Sequence, residues 1–403
     1  MASGDQGPAR PKVAFLGPTS SYSHQATKSV FPDDTWELSP TVTIKDIFDV
    51  VQSGEVKAGV VPFENSTHGI VTFTLDALAD RKGLYSNLIV TGEIYLDVHH
   101  FLLGRPKQAE ATEESDEPVE GAAGSGKSTE EPPKATTEEQ PGSAEVLPEA
   151  VETKSEPTTT SESEPEPEPE EAPAQAPVPV PGQPLHSLAH ITRIYSHPQA
   201  FGQTSLFVST HLPGVETVET SSTSRAAQLA AADPTGCSAA IAGELNASAN
   251  PGLVVLAPNI QDRDDNTTRF LVVFREDGDV DVLPHDLYVP YAARKGDLTL
   301  EELTGLQRSM FKSLMRFTVP HDKPGALADV LDCFRAAELN LTSINSLPSL
   351  ERPFRYMFFV EFEGDRPGRR TDGSGDKVMA AYEGIAKAAK DWKKLGTWMK
   401  QRD

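Results

Sequence analysis

Lys12-Val13-Ala14-Phe15-Leu16-Gly17-Pro18-Thr19-Ser20-Ser21-Tyr22-Ser23-His24 is the stretch that decides the fold class. The apolar run from Val13 to Leu16 reads as a short buried strand, and Gly17-Pro18 stops it. A hydroxyl-rich turn then leads into a helical stretch at 22–30. The same grammar recurs downstream. Ala58-Gly59-Val60-Val61 ends at Pro62 and a polar turn, and Val71, Leu75 and Leu78 have helical spacing. Residues 94–103 read as one strand, with Tyr95, Asp97 and His99 alternating against apolar neighbours. Strand, polar turn and helix return at 191–196, from Pro198 and from Ser222-Thr223, followed by apolar runs at 239–241, 253–256 and 269–274. This repetition predicts an α/β fold.

The pattern is interrupted. The chain of 403 residues carries a formal charge of −24, from 60 acidic and 36 basic residues. Residues 105–184 hold 20 of the acidic residues, 5 of the basic ones, 15 of the 33 prolines and no aromatic. Such a segment has too little apolar surface to offset its ordering entropy, so residues 105–187 are expected to be a disordered acidic insertion within one domain. Residues 121–128 match the P-loop consensus, but DEPVE before and TEEPP after supply neither the strand nor the helix a phosphate loop needs. The match is rejected. With the insertion set aside, the rest carries only −9. The acidic balance argues against nucleic acid or an anionic membrane as partner.

The expected organisation is a short disordered N-terminus (1–11), one α/β domain from 12–104 and 188–275, and a linker (276–310) with a short helix near 300–307. The last ninety residues (311–400) have a strand-helix-strand-strand-helix-strand order, which predicts a small ferredoxin-like domain. Cys237 and Cys333 sit far apart and at no metal-binding spacing, which excludes a disulfide framework. No run approaches 18 apolar residues, and the first twelve residues, MASGDQGPARPK, have no apolar core. A cytoplasmic, soluble chain is expected, with no metal and no cofactor.

Hydroxyl, amide and glycine residues recur where strands end and helices begin: 17–24, 64–67, 195–199, 221–223 and 266–269. Taken singly, each is most simply a helix cap. Together they suit a site that holds an anionic small molecule with neutral donors and helix N-termini.

At this point six blocks resemble, in order, those of prephenate dehydratases: GPTSSYSHQA, GVVPFENSTHGIVTFTLDAL, IYSHPQAFGQ, SSTSRAAQLA, AAIAGELNA and IQDRDDNTTRFLVV. KPGALADVLDCFRAAELNLTSI resembles their ACT regulatory domain. The resemblance implies a catalytic domain of two lobes, like periplasmic binding proteins, with its site in the cleft between them. It also implies decarboxylating dehydration of prephenate to phenylpyruvate. Thr268 is then the hydrogen-bond or proton donor to the departing hydroxyl, with Glu64 as a relay or orienting group. Arg269 would pair with a substrate carboxylate. Asn65, Ser66, Ser196, Gln199, Gln203 and Thr223 would line the cleft, with Phe270 beneath it; His24 and His197 are second choices as acids.

For the terminal module, the resemblance implies phenylalanine binding by Gly325, Ala326 and Leu327 and by Asn340, Leu341 and Thr342, with feedback control and a homodimer or larger homo-oligomer. Asn345-Ser346-Leu347-Pro348 departs from the family's Glu-Ser-Arg-Pro. Two rivals remain: the same chemistry on arogenate, and a non-catalytic amino-acid sensor on the same architecture. With about a dozen residues before Val13, no fused mutase domain is expected ahead of it.

Overall fold

The computed structural model describes residues 10–107, 180–288, 311–364 and 376–402. β1 (Lys12–Leu16) passes through the 17–21 turn into α1 (Tyr22–Lys28), then β2 (Glu37–Thr41), α2 (Ile44–Ser53), β3 (Ala58–Asn65) and the two-residue β4 (Gly69–Ile70). α3 (Thr72–Ala79), β5 (Leu88–Asp97) and β6 (Phe101–Gly104) follow. The chain continues with β7 (Arg193–Ser196), α4 (Pro198–Gly202), α5 (Ser205–His211), β8 (Glu216–Glu219) and α6 (Thr223–Ala232). Next come β9 (Ser238–Ala242), α7 (Leu245–Ala249), β10 (Val254–Ala257) and β11 (Thr267–Arg275). The C-terminal elements are β12 (Phe311–Thr318), α8 (Ala326–Ala336), β13 (Asn340–Pro348), β14 (Tyr356–Gly364), α9 (Lys377–Ala388) and β15 (Asp391–Met399). Two mixed sheets flanked by helices bear out the α/β class.

The first sheet runs β13-β14-β12-β15-β5-β11-β3-β1-β2, with β4 beside β3; the second runs β10-β6-β9-β7-β8. β11 is antiparallel to β5 on one side and to β3 on the other, and its burial is nearly continuous from Arg269 to Phe274. That burial explains the unbroken apolar run RFLVVF. The C-terminal strands have two dry faces. Met315, Phe317, Val360 and Phe362 pack under α8 and α9. On the other face, Phe359, Leu395 and Trp398 share one core with Phe63, Val90, Leu271 and Val273.

Several boundaries differ from the sequence reading. The strand expected at 94–103 is two strands in different sheets. The ladder of β5 on β11 ends at the pair Thr267–Asp97. Val98 N–H then donates to Asn266 O and His100 N–H to Gln261 Oε1, so the backbone turns away before β6 begins. The short strand expected near Trp398 is the nine-residue β15, between β12 and β5. Sequence reading passed over residues 37–53. Yet Ile44, Ile47, Phe48 and Val51 have helical spacing and are buried, and Thr43 and Asp46 form a reciprocal capping box.

The expected disordered segment lies outside the described residues from 108 to 179, as do the rejected P-loop match and the helix expected near 300–307. The ends of that segment are described. Leu185 N–H donates to Leu256 O and Gly182 N–H to Pro258 O, so residues 180–187 lie along β10. The first part of the expected linker also packs: Leu283 and Leu287 are buried against β3, β5 and β11 residues.

β15 meets β5 through one register pair, Gly396 with Val90. A Cβ at Gly396 would stand 2.1 Å from Val90 O, inside the backbone of the neighbouring strand. Only glycine permits this junction of the two halves of the sheet. Gly396→Ala is therefore expected to cost about 2 kcal/mol or more through overpacking against backbone that cannot yield. Thermal melting checks this: a fall of roughly 5 °C or more is expected, and an unchanged midpoint contradicts it.

Candidate active site

A cleft of about 630 Å³ opens beside the end of β11, lined from both sheets. Asn65, His68, Asn266 and Thr268 form one wall; His197, Gln199, Gln203 and Thr223 come from the second sheet and its helices, and Tyr22 and His100 also reach it. The described lining residues include no Asp, Glu, Lys or Arg. α3 and α6 begin at the cleft, with Thr72 and Thr223 in its lining. First-turn N–H groups have no partner within their own helix, which makes such ends favourable to anions.

Thr268 and Asn65 are cross-strand partners. Asn65 Oδ1 accepts from the backbone N–H groups of Thr67 and His68, each at 3.0 Å, which fixes the direction of its amide. Asn65 Nδ2 then donates to Thr268 Oγ1 at 2.9 Å and to Asn266 Oδ1 at 2.8 Å. A hydroxyl oxygen that is already accepting keeps its own proton to donate. Thr268 is so placed, at the cleft wall. Asn266 is 3% exposed, and its Nδ2 finds no partner among the described residues. It is a buried donor beside the cleft, and such a group costs free energy unless something accepts from it.

A second hydrogen-bonded row crosses the cleft. His100 is 1% exposed; its Nε2 lies 2.7 Å from Gln203 Oε1 and its Nδ1 2.9 Å from the Tyr22 hydroxyl. With Nε2–H donating to the amide oxygen, Nδ1 is the acceptor for Tyr22. Burial holds His100 below the ordinary histidine range, against the opposing pull of the Gln203 hydrogen bond. Gln203 Nε2 reaches on to Thr67 Oγ1 at 3.4 Å, and Thr67 Oγ1 donates to Asn65 Oδ1 at 2.7 Å. The row thus joins Tyr22 to the Asn65–Thr268 pair.

Of the residues expected at the site, Thr268, Asn65, Gln199, Gln203 and Thr223 line the cleft. Others do not. Alternation along β11 turns Arg269 to the face opposite Thr268. There it is 6% exposed: its Nε donates to Glu93 Oε2 at 2.9 Å, and Nη2 meets Glu361 Oε2 at 2.5 Å. The Arg269 guanidinium lies over Phe63 and beside Tyr95 and Trp398. Arg269 is thus corrected from a substrate carboxylate partner to a buried structural cation. Glu64, the cross-strand partner of Arg269, shares that face and lies 3.8 Å from its Nη1, away from the cleft lining.

Ser66 is a latch, its Oγ donating to Asp265 O and accepting from Thr267 N–H. Ser196 is fully buried and donates to Ile241 O. Phe270 belongs to the core with Phe15, Phe31 and Val60. His24 accepts from Ser20 N–H and stacks on Phe15, outside the cleft lining. His197 lines the cleft and caps α4. Tyr22, His68 and His100 were missed. Tyr22 and His68 sat inside quoted family-like blocks, and the paired histidines at 99–100, where one sheet gives way to the other, were the remaining signal.

A family profile described as prephenate dehydratase matches residues 13–115 and 180–278, half of the chain. The chain belongs to the prephenate dehydratase family. A bifunctional chorismate mutase/prephenate dehydratase of Aquifex aeolicus is 26% identical over 361 residues, covering 90% of this chain and 68% of the relative. The comparable enzyme of Pseudomonas aeruginosa is 28% identical over 353 residues, 88% of this chain and 65% of its own. The chain therefore spans about two thirds of these bifunctional relatives. A probable prephenate dehydratase of Saccharomyces cerevisiae is 27% identical over 417 residues, covering 96% of both chains.

Among solved structures, the prephenate dehydratase of Arthrobacter aurescens in complex with L-Phe superposes with a TM-score of 0.61 at 24% identity, covering 97% of this chain and 90% of that one. A quorum-quenching acylase superposes equally well, at 0.61 and 20% identity, over 97% of this chain and 98% of its own. Both likenesses concern the fold; chemistry rests on the site.

The lowered pKa of His100 carries a sign. The group stays neutral to lower pH when folded than when unfolded, where it titrates near 6.5, so its contribution to stability is present above that value and is lost as pH falls below it. Between pH 6.5 and 5, the unfolding free energy of the wild type should fall more steeply than that of His100→Gln, by up to about 1.4 kcal/mol per pH unit. Denaturant titrations at several pH values test this, and coincident slopes contradict it.

Proposed function

We infer that the cleft catalyses the conversion of prephenate and one proton to phenylpyruvate, CO2 and water. The ring carboxylate leaves as CO2, its bonding electrons aromatise the ring, and the ring C–OH bond breaks with protonation of the departing oxygen. The electrons balance internally, so the reaction calls for no redox cofactor. What it requires is a grip on a dianion and a donor at the leaving oxygen. The observation that carries this reading is the Asn65 Nδ2 to Thr268 Oγ1 hydrogen bond, which leaves the Thr268 proton for the substrate at the cleft wall. A threonine hydroxyl is too weak an acid to act through its pKa. Its contribution is a preorganised hydrogen bond to charge that develops on the leaving oxygen.

Asn266, Gln199, Gln203 and Thr223, with the starts of α3 and α6, would hold the carboxylates as neutral donors. Such a set suits the keto acid prephenate better than arogenate, whose side-chain ammonium would want a carboxylate. Turnover of prephenate by the wild type, with Thr268→Ala lowering kcat about 100-fold and Thr268→Ser retaining part of it, is the expected result. A Thr268→Ala enzyme with near-normal kcat, or a kcat/KM higher for arogenate than for prephenate, contradicts it.

The finer organisation belongs to the same proposal. Residues 12–104 and 188–275 act as a two-lobed catalytic domain of periplasmic-binding-protein type, and 311–400 as an ACT domain that binds phenylalanine and exerts feedback, in a homodimer or larger assembly. Strand-helix-strand-strand-helix-strand order supports this. So does Gly325, which caps α8 at a φ of +82°, with open space where a side chain would stand. β13 is the outer strand of its sheet, and Asn340 and Thr342 on it are engaged by Glu363 and Glu361. No helix among the described residues is long and apolar enough to cross a membrane; a cytoplasmic location is part of the proposal. Phenylalanine should bind the full chain, seen as heat in isothermal titration, and no heat at saturating ligand would count against an effector site.

A further inference from the structure

Behind Thr268 lies a charged cluster with almost no access to solvent. Arg269 meets Glu93 of β5 and Glu361 of β14, both of them 1% exposed. Lys312 of β12, 7% exposed, stands 3.4 Å from Glu361 Oε1, 3.7 Å from Glu93 Oε2 and 3.3 Å from the Tyr95 hydroxyl. Two cations thus face two buried carboxylates. Burial alone would raise the Glu361 carboxyl, but Arg269 and Lys312 outweigh it and keep it lowered and ionised. The residue before Thr268 is tied the same way: the Thr267 hydroxyl donates to Asp97 Oδ1, and Asp97 is held bidentately by Arg402 at 2.8 Å. On each side of Thr268, therefore, the neighbour's side chain is linked to the C-terminal residues, Arg269 directly through Glu361 and Thr267 through Asp97 to Arg402.

Glu361 has one further partner. The pairing of β13 with β14 slips between Leu341 and Ser343, so Thr342 is the extra residue of a bulge. Its hydroxyl donates to Glu361 Oε1 at 2.8 Å. Thr342 belongs to the strip at which an effector is proposed to bind. One carboxylate thus touches that strip through Oε1 and the arginine beside Thr268 through Oε2.

We propose that Glu361 is a positioning residue for the reaction: through Arg269 it holds the strand end that carries Thr268, and an effector on the β13 strip alters turnover through this carboxylate. The proposal rests on the dehydratase reading and names the contact by which the C-terminal elements act on the site. Packed interiors shift between discrete arrangements, and a ligand that orders β13 differently would change the Thr342–Glu361 contact. Among the described residues, the hydrogen bonds and ion pairs of Glu361 go to Arg269, Lys312 and Thr342, outside the cleft lining, so it acts on the donor's position and not on substrate affinity.

The test is steady-state kinetics of full-length Glu361→Gln with prephenate, with and without phenylalanine, alongside calorimetric phenylalanine binding and thermal melting. The expected result is a kcat lowered about tenfold or more, a KM within twofold of wild type, and phenylalanine that still binds but changes the remaining activity by less than half of its effect on wild type. A kcat within twofold of wild type, or a phenylalanine effect of undiminished size, overturns the proposal. If Glu361→Gln does not fold, Glu361→Asp keeps the charge on a shorter side chain and carries the same test, with a threefold fall in kcat and a weakened response expected. Wild-type protein that does not turn over prephenate would instead sink the dehydratase reading.

Discussion

The structure depends on the burial of one guanidinium. Arg269 sits among Glu93, Glu361 and the faces of Phe63, Tyr95 and Trp398, where three sequence-distant segments meet. Placing charges in such a position is expensive. The cluster persists because each carboxylate has several donors: Glu93 also accepts from Gln401 N–H, and Glu361 from Thr342. Removing one partner from such a group typically costs about 3–5 kcal/mol, far more than an exposed pair is worth. The arginine needs its carboxylates; the carboxylates bring β5 and β14 to β11; and that arrangement fixes the end of β11 at the cleft.

Strand alternation then divides the labour. Thr268 faces the cleft and Arg269 the cluster; Asn65 faces the cleft and Glu64 the cluster side. A charged residue one position away from the cleft hydroxyl of Thr268 is thereby kept out of the cleft. The cleft is left with neutral donors and helix starts for a dianionic ligand, within a chain whose net charge is itself negative. That combination works because hydrogen bonds from oriented N–H groups bring no counter-charge that must be neutralised when the ligand leaves.

Much of this was legible in the sequence, for definite reasons. Short apolar runs at 13–16 and 58–61 marked β1 and β3, because buried strands have a strong signal; Gly17-Pro18 closes the first, but β3 runs on through Pro62 to Asn65. The order of the last six elements was legible for the same reason. Thr268, Asn65, Gln203 and Thr223 were recognisable from their blocks. Arg269 was misassigned because sequence shows adjacency and not facing, and its partners Glu93 and Glu361 lie far away in the chain. His100 was invisible as a site residue since its role depends on where the chain leaves one sheet for the other. That crossing was hidden inside what read as a single strand at 94–103. The Gly396–Val90 junction had no local signal at all, being a contact between halves of the sheet.

The most direct test of the account is a crystal structure of the full chain with prephenate or phenylpyruvate bound. The account predicts a carboxylate held by neutral donors at the Gln203, Thr223 and Asn266 side of the cleft. The Thr268 hydroxyl would lie within hydrogen-bond reach of the ring oxygen's position, and Arg269 would remain paired with Glu93 and Glu361. A ligand carboxylate bound directly by an Arg269 that has left those partners would contradict it.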